Sequence, residues 1–421
     1  MEKILVIGHG VSGRAALRLA KTLSFNAIAV SDAEFDGKNP NQWFDGVDLV
    51  VVSPGVGAAS PLLQEAVRRK LRIESELQFG ADHFAGRIFA VTGTNGKTTT
   101  VELTTHLLQK LGVPARYAGN IGVPLSELAA ADRLAGQAND AAAVAVVEVG
   151  SFQLEYTPRL RAEAAVILNV ESDHLDRYPG GMAEYRRIKE RIFTGVPPAD
   201  RLYGMSMPEA RNNAAHFTIT NDILYGAGQP ILALPETALN APHNRENLLA
   251  ALELTMRALN RMPDPAALTD AIRSFHPGDH RLAEVAVIHG VRYINDSKAT
   301  NPAAVLAALR ALEPIPQGNI LLLAGGLDKD MDFTALAEGV PWLKMAALFG
   351  ACRKAIMAAL EGKVPTVECA SLAEALQQAQ GQARPNDIVL LSPAAASMDM
   401  FKDYKGRGET FARLVRESAL R

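Results

Sequence analysis

The sequence predicts an α/β protein of three domains. Three observations carry this reading. Short apolar runs alternate with helical patterns along most of the chain, and two glycine-rich turns each follow a strand and open a helix. The third is length, since 421 residues correspond to about three domains at ~150 residues apiece. Strands alternating with helices imply parallel sheets. Changes of rhythm near residues 80 and 278 set the expected domains at 1–80, 81–278 and 279–421.

In the first domain Ile4–Ile7 is an apolar strand, Ala15–Leu23 has helical periodicity, and Ala27–Val30 and Leu49–Val52 are further strands. Gly8-His9-Gly10-Val11-Ser12-Gly13 lies between the first strand and the first helix, and Asp32 closes the second strand. This is the fingerprint of a Rossmann-like nucleotide-binding domain: a tight turn, close approach of a pyrophosphate, and an acid placed for a ribose hydroxyl. The pattern suits NAD or the pyrophosphate of another nucleotide, so an NAD-dependent oxidoreductase stays open at this point. Ser53-Pro54-Gly55-Val56 follows the third strand, at the carboxyl edge where open sheets bind ligands.

The middle domain begins near Phe79–Gly86. Val91-Thr92-Gly93-Thr94-Asn95-Gly96-Lys97-Thr98-Thr99 follows the strand Arg87–Val91 and opens a helix expected over Thr99–Leu111. Glycines let backbone N–H groups approach phosphates, the lysine adds charge, and the threonine hydroxyl can ligate Mg²⁺. The loop therefore predicts a P-loop-type ATPase domain with a parallel sheet. Val91 stands where the general P-loop has its first glycine, so this is a shorter form. Glu148 interrupts the apolar strand Ala142–Val149, and a buried carboxylate needs a partner, either Mg²⁺ or an arginine. Asn169–Asp176, with Asp173 and His174, follows the strand Ala164–Leu168 and reads as metal or phosphate chemistry. By pattern alone Lys189, within Tyr185–Arg191, belongs to a solvated helix face, as do Arg68-Arg69-Lys70. Val196–Leu239 reads as a loose region, and a helix over Pro242–Asn260 opens with His243-Asn244.

The third domain is a second Rossmann-like α/β array. Its expected strands are Val291–Asn295, Ile320–Leu323, Met345–Phe349, Pro365–Cys369 and Ile388–Ser392. Asn295-Asp296-Ser297-Lys298-Ala299-Thr300-Asn301, at a strand's carboxyl end, is a ligand-loop signature. His280-Arg281 just upstream offers a guanidinium for a phosphate.

A hydrophobic fraction of 48% and a charged fraction of 21% are those of an ordinary globular protein. A net charge of −3 argues against a nucleic-acid footprint. Only two cysteines occur, Cys352 and Cys369, and they form neither a metal spacing nor a disulfide framework, which fits a reducing cytoplasm. No run approaches the ~18 apolar residues of a membrane span. The chain enters Ile4-Leu5-Val6-Ile7 directly after Met-Glu-Lys, so no secretion signal is expected. The expected protein is cytoplasmic and monomeric, with neither nucleic acid nor membrane as partner.

Together these stretches resemble the Mur ligase family, ATP-dependent amide-forming synthetases of peptidoglycan precursors. The carriers are Gly93–Thr99, Glu148 with Ser151–Glu155, Asp173–Pro179, and His243-Asn244 with Asn247. They continue with His280-Arg281, Ile294–Asn301, Gly325-Gly326 with Lys329, and Ser392–Gly408. Asp176-Arg177-Tyr178-Pro179 and the Ser392–Gly408 segment favour members that add D-glutamate to UDP-N-acetylmuramoyl-L-alanine. Departures are Ala395 where the family often has cysteine, Gly150 where serine is common, Pro242 ahead of His243, and the loop Gly326-Leu327-Asp328-Lys329. None removes a charge the chemistry needs.

The resemblance implies ATP on Gly93, Thr94, Asn95, Gly96, Lys97, Thr98 and Thr99, with Asn244, Asn247, Arg281 and Asp296 around the adenosine and its phosphates. It implies two Mg²⁺ ions, with Thr98 and Glu148 at one and His174 at the other. Lys189 would be carbamylated by CO₂ and so become an anionic oxygen ligand. Lys97, Glu148, His174 and Lys189 would then be the catalytic set. Val11, Ser12, Asp32, Gly55 and Asn120 would hold the UDP precursor, and Lys298, Thr300, Lys329, Ser397, Met398 and Tyr404 the D-glutamate. The implied route is an acyl phosphate, then a tetrahedral intermediate, with closure of the third domain assembling the site. Sister ligases and a folylpolyglutamate synthase remain alternatives, though the latter should lack a full nucleotide-binding domain ahead of its phosphate loop. A non-catalytic nucleotide-binding module is disfavoured because Lys97, Glu148, His174 and Arg281 are all present.

Overall fold

The structure is a computed structural model that describes residues 2–35, 37–137, 140–173, 177–213, 215–312, 318–328 and 331–419, without the side chain of His243. The chain divides into two compact units. One comprises Met1–Val170, Ala183–Asn240 and Asn244–Phe275, and the other Glu171–Met182, Ala241–His243 and His276–Arg421.

The first sheet of unit one contains β1 (Lys3–Ile7), β2 (Asn26–Val30), β3 (Leu49–Val52) and β4 (Arg72–Ser75), in the order β2-β1-β3-β4 and all parallel. Ile4, Leu5, Val6 and Ile7 are all buried, which explains their unbroken apolar run: helices cover a parallel sheet on both faces. Gly13 is required sterically, since a Cβ there would lie 1.9 Å from the Gly8 carbonyl oxygen.

The second sheet contains β5 (Arg87–Thr92), β6 (Ala115–Gly119), β7 (Val144–Glu148), β8 (Ala164–Ile167) and β9 (Arg201–Tyr203), ordered β6-β7-β5-β8-β9 and again parallel. Its register sets Glu148 beside Val91, immediately before the phosphate loop, and Gly119 on the other side of Glu148. The helix after the loop starts at Lys97, two residues earlier than expected, and runs to Lys110.

The region that reads as loose holds a third, antiparallel sheet of β10 (Phe217–Thr220), β11 (Ile223–Gly226) and β12 (Gln229–Ala233). Asn221 and Asp222 take φ of 48° and 63°, the paired positive values of a two-residue hairpin turn. Phe217, Leu224 and Leu232 join Leu103, Leu107 and Leu248 in one apolar cluster, which anchors this sheet to the long helices.

Unit two carries β13 (Ala283–Ile288), β14 (Val291–Asn295), β15 (Ile320–Gly325), β16 (Leu343–Phe349), β17 (Thr366–Glu368) and β18 (Ile388–Leu391), in the order β13-β14-β18-β15-β16-β17. The pairs from β14 to β17 are parallel, as expected. β13 is an unexpected antiparallel edge, turned into β14 by His289-Gly290 at φ of 50° and 76°. No helix among the described residues is long and apolar enough to cross a membrane.

Candidate active site

The phosphate loop is braced from three sides. Gly96 sits at φ +82°, and a Cβ on it would lie 2.2 Å from Oδ1 of Asn247. Asn247 is buried on the helix Pro242–Leu259, accepts from the Thr100 hydroxyl at 3.3 Å, and donates to Asn244 Oδ1 at 3.5 Å. Asn169, at the end of β8, accepts on Oδ1 from the backbone N–H groups of Thr94 (3.0 Å) and Asn95 (2.8 Å). Asn169 opens the stretch Asn169–Asp176 that reads as metal or phosphate chemistry, but nothing in the sequence singles it out from Asp173 and His174. Lys97 Nζ folds back onto the Gly93 and Thr94 carbonyls at 2.9 and 2.8 Å.

Lys189 overturns the pattern-based expectation of a solvated helix face. It is 1% exposed, its Nζ donates to the Gly93 carbonyl at 2.8 Å, and it stands 4.4 Å from the centre of the Tyr185 ring. The helix Gly181–Glu190 turns Tyr185, Ile188 and Lys189 inward together. Their i, i+3, i+4 spacing is that of an apolar face, so Lys189 follows the periodicity of the core rather than of its charged neighbours.

Glu148 is buried at 1% exposure, accepting from the Thr98 hydroxyl at 2.7 Å and from Asn120 Nδ2 at 2.9 Å. No lysine or arginine pairs with it among the described residues, so the arginine alternative is not met. A hydroxyl and a carboxylate oxygen at a helix N-terminus fit Mg²⁺, which takes few protein ligands and completes its shell with phosphate and water. Among the described residues, no group of three or more His, Cys, Asp or Glu could hold a metal ion. His174, expected at a second ion, and Lys329, expected at D-glutamate, lie outside the described residues. Asp173 Oδ2 accepts from Asn301 Nδ2 at 3.4 Å within unit two.

At the first sheet Val11 is 64% exposed, Ser12 stands in the first turn of its helix, and Gly55 is exposed beyond β3. Asp32 is engaged locally: Oδ1 accepts from the Ser60 hydroxyl at 2.7 Å and the Leu62 N–H at 3.4 Å, which ties it to the start of the helix Pro61–Arg68. Glu34, which the fingerprint does not single out, meets His9 Nε2 at 2.6 Å. Hydrogen bonds from the Ser31 hydroxyl and His9 pull its carboxyl down to about 2.

In unit two Asp296 is buried, accepting from the Ser392 hydroxyl at 2.9 Å and the Leu282 N–H at 3.3 Å. Burial pushes its carboxyl up to about 7, against the pull of Arg281. Lys298 Nζ lies 3.9 Å from the centre of the Tyr404 ring, a cation–π contact that brings two expected D-glutamate residues together. Thr300 is half-buried, Ser397 is buried, and Met398 is 64% exposed. Cys352 and Cys369 are free and buried.

Two α/β units, one carrying a braced phosphate loop with a carboxylate and an inward lysine, define a nucleotide-dependent class of enzyme. The Mur ligase middle domain matches residues 91–255, and the Mur ligase glutamate ligase domain matches residues 280–395. The chain belongs to the Mur ligase family. Within that family it is similar to the UDP-N-acetylmuramoylalanine–D-glutamate ligases. The enzyme of Acidobacterium capsulatum is 36% identical over 98% of this chain and 96% of its own, and that of Marinobacter nauticus 38% identical over 98% of each. Among solved structures, UDP-N-acetylmuramate-alanine ligase MurC of Thermotoga maritima aligns with a TM-score of 0.61 at 18% identity, over 99% of this chain and 100% of its own. Mycobacterium tuberculosis folylpolyglutamate synthase aligns at 0.60 and 17% identity, over 80% of this chain and 92% of its own. These two likenesses show the fold.

Proposed function

We propose that the chain joins D-glutamate to UDP-N-acetylmuramoyl-L-alanine while ATP is converted to ADP and phosphate, a cytoplasmic step of peptidoglycan precursor synthesis. The observation that carries the reading is the cluster at the carboxyl ends of β5 and β7: Thr98 on Glu148, with Lys97 and Lys189 on one loop carbonyl.

A carboxylate is a poor acyl donor because oxide would have to leave. Transfer of the γ-phosphoryl group to the L-alanyl carboxylate gives an acyl phosphate, whose leaving group is phosphate. The D-glutamate amine then attacks through a tetrahedral oxyanion. Both steps gather negative charge, so the cations beside the loop supply most of the stabilisation. Lys97, whose Nζ donates to the Gly93 and Thr94 carbonyls, would move onto the β/γ-phosphate oxygens. Mg²⁺ held by Thr98 and Glu148 would neutralise phosphate charge, and His174 with carbamylated Lys189 would hold a second ion. Carbamylation suits Lys189 because it replaces one of two crowded cations by an anion.

Asn244, Asn247, Arg281 and Asp296 would surround the adenosine and its phosphates. Val11, Ser12 and Gly55 would form the floor for the UDP part, with Asp32 shaping the loop from its helix cap and Asn120 reaching in from the phosphate-loop sheet. Lys298, Thr300, Lys329, Ser397, Met398 and Tyr404 would receive D-glutamate, Lys298 supplying charge for a carboxylate. On this reading 1–80, 81–278 and 279–421 act as three functional domains in a monomer. The test is phosphate release by purified enzyme with ATP, Mg²⁺ and the UDP precursor, with and without D-glutamate. Release that does not depend on D-glutamate, or that other amino acids support equally, would sink the assignment.

A further inference from the structure

Arg407 is fully buried, and among the described residues no carboxylate accepts a hydrogen bond from it. Its donors go elsewhere. Nε reaches the Ser297 hydroxyl at 3.0 Å, one terminal nitrogen reaches the carbonyls of Ala395 (3.0 Å) and Gly325 (3.4 Å), and the other reaches the Ser297 carbonyl at 2.9 Å. These acceptors lie at the carboxyl ends of three neighbouring strands: Ser297 after β14, Gly325 at the end of β15, and Ala395 after β18. The Ser297 hydroxyl in turn donates to the Tyr404 carbonyl at 2.8 Å, at the start of the helix Tyr404–Ser418 that carries Arg407.

A buried cation in this position is weak evidence for a stabilising role. Removing a guanidinium from water is expensive, and an apolar side chain of similar volume generally serves a core as well or better. Burial lowers the affinity of this guanidinium for its proton to about 10, still far above neutrality, so the charge is kept. What only arginine provides is a rigid planar fork whose donors fix several acceptors at set separations. Two of the loops it ties carry residues assigned above to the incoming amino acid: Lys298 and Thr300 follow Ser297, and Ser397 and Met398 follow Ala395, while Tyr404 opens the fork's own helix.

We infer that Arg407 is a positioning residue for the amino-acid substrate, a buried fork that holds three strand-end loops in register so that the groups receiving D-glutamate stand at productive separations. It touches no reacting atom. The inference rests on the D-glutamate reading of this unit.

The test is saturation kinetics of Arg407→Lys in each substrate. A lysine keeps the charge but cannot span Ser297, Gly325 and Ala395 together. The KM for D-glutamate should rise by about tenfold or more, in line with the sensitivity of reactions to small misplacements. The KM values for ATP and the UDP precursor should hold, and kcat extrapolated to saturating D-glutamate should fall far less. Ser297→Ala removes only the hydroxyl between Arg407 and Tyr404, and should shift the D-glutamate KM in the same direction by a smaller factor. A merely structural role would reduce the active fraction for all substrates alike and leave the D-glutamate KM where it was, which overturns the inference. If Arg407→Lys fails to fold, Ser297→Ala decides on the same criterion. Wild-type turnover indifferent to D-glutamate overturns the parent reading and this one with it, whereas D-glutamate-dependent wild type with an unmoved KM in the variants overturns this one alone.

Discussion

Lys97 and Lys189 donate to the same atom, the carbonyl oxygen of Gly93, at 2.9 and 2.8 Å. Two ammonium groups on one acceptor repel, and burial of Lys189 strengthens the repulsion. A carbamate on Lys189 would turn that repulsion into attraction. Lys189→Ala should therefore lose about 10²–10³-fold in turnover, the scale of removing one charged group from such a site. Acetate or formate entering the vacated space should restore part of it. Absence of rescue at every concentration tried, together with no ¹³C carbamate signal from wild type in labelled bicarbonate, would count against the modification.

The Thr98–Glu148 pair gives a second test. Glu148→Gln preserves shape and an acceptor for the Thr98 hydroxyl but removes the charge. On the proposed role of Glu148 at Mg²⁺, turnover should fall about 10²–10³-fold. Thermal stability should hold or rise, since among the described residues this buried carboxylate has no cationic partner, which is costly. Calorimetry alongside phosphate release separates these effects, and unchanged turnover would remove Glu148 from the metal site.

The parallel sheets were legible because strands covered on both faces read as unbroken apolar runs, as in Ile4–Ile7 and Leu49–Val52. The phosphate loop was legible because Gly93 and Gly96 answer local backbone demands, at φ of 155° and 82°. The hairpins were harder. β10 is half-exposed and mixes Thr218 and Thr220 with its apolar residues, so its surest signal is the turn Asn221-Asp222. The fingerprint marks Asp32 as a ligand acid, but nothing local reveals that Ser60, 28 residues on, also bonds its Oδ1. Arg407 lies in the Ser392–Gly408 segment that carries the resemblance, but its contacts were hidden: its acceptor Ser297 is 110 residues away, and its own helix is rich in charge. Lys189 shows the opposite failure, for its inward face was readable from Tyr185 and Ile188.

Gly96 combines two constraints that can be separated. Alanine there would be strained by the positive φ and would also drive a Cβ to 2.2 Å from Asn247 Oδ1. Gly96→Ala should cost about 1–3 kcal/mol in stability and raise the KM for ATP. Adding Asn247→Ala relieves the clash but not the backbone strain, so a double-mutant cycle by urea unfolding should show partial recovery of stability. Normal ATP affinity in Gly96→Ala would show that the loop has more freedom than its geometry indicates.

Glu76 predicts a pH dependence of stability whose sign is unusual for an acid. It is 1% exposed at the start of the helix Glu76–His83 and accepts on Oε1 from the Ser126 N–H at 2.8 Å, within the first turn of the helix Leu125–Leu134. The helices meet closely because residue 80 is glycine: a Cβ there would lie 2.6 Å from Ser126 N. Among the described residues Oε2 has no hydrogen-bond partner, and burial pushes the carboxyl from 4.5 up to about 7. Between those values the folded chain holds a proton that the unfolded chain has released. Stability from this group is therefore full below about 4.5 and falls as pH rises to about 7, by on the order of 3 kcal/mol in all. Asp296, raised to about 7 by the same cause, adds a loss of the same sign. Glu76→Gln cannot ionise, so it should match wild type in urea unfolding near pH 4 and exceed it near pH 8. Parallel curves for the two proteins across that range would mean that Glu76 titrates as an ordinary carboxylate and that its burial is relieved by water.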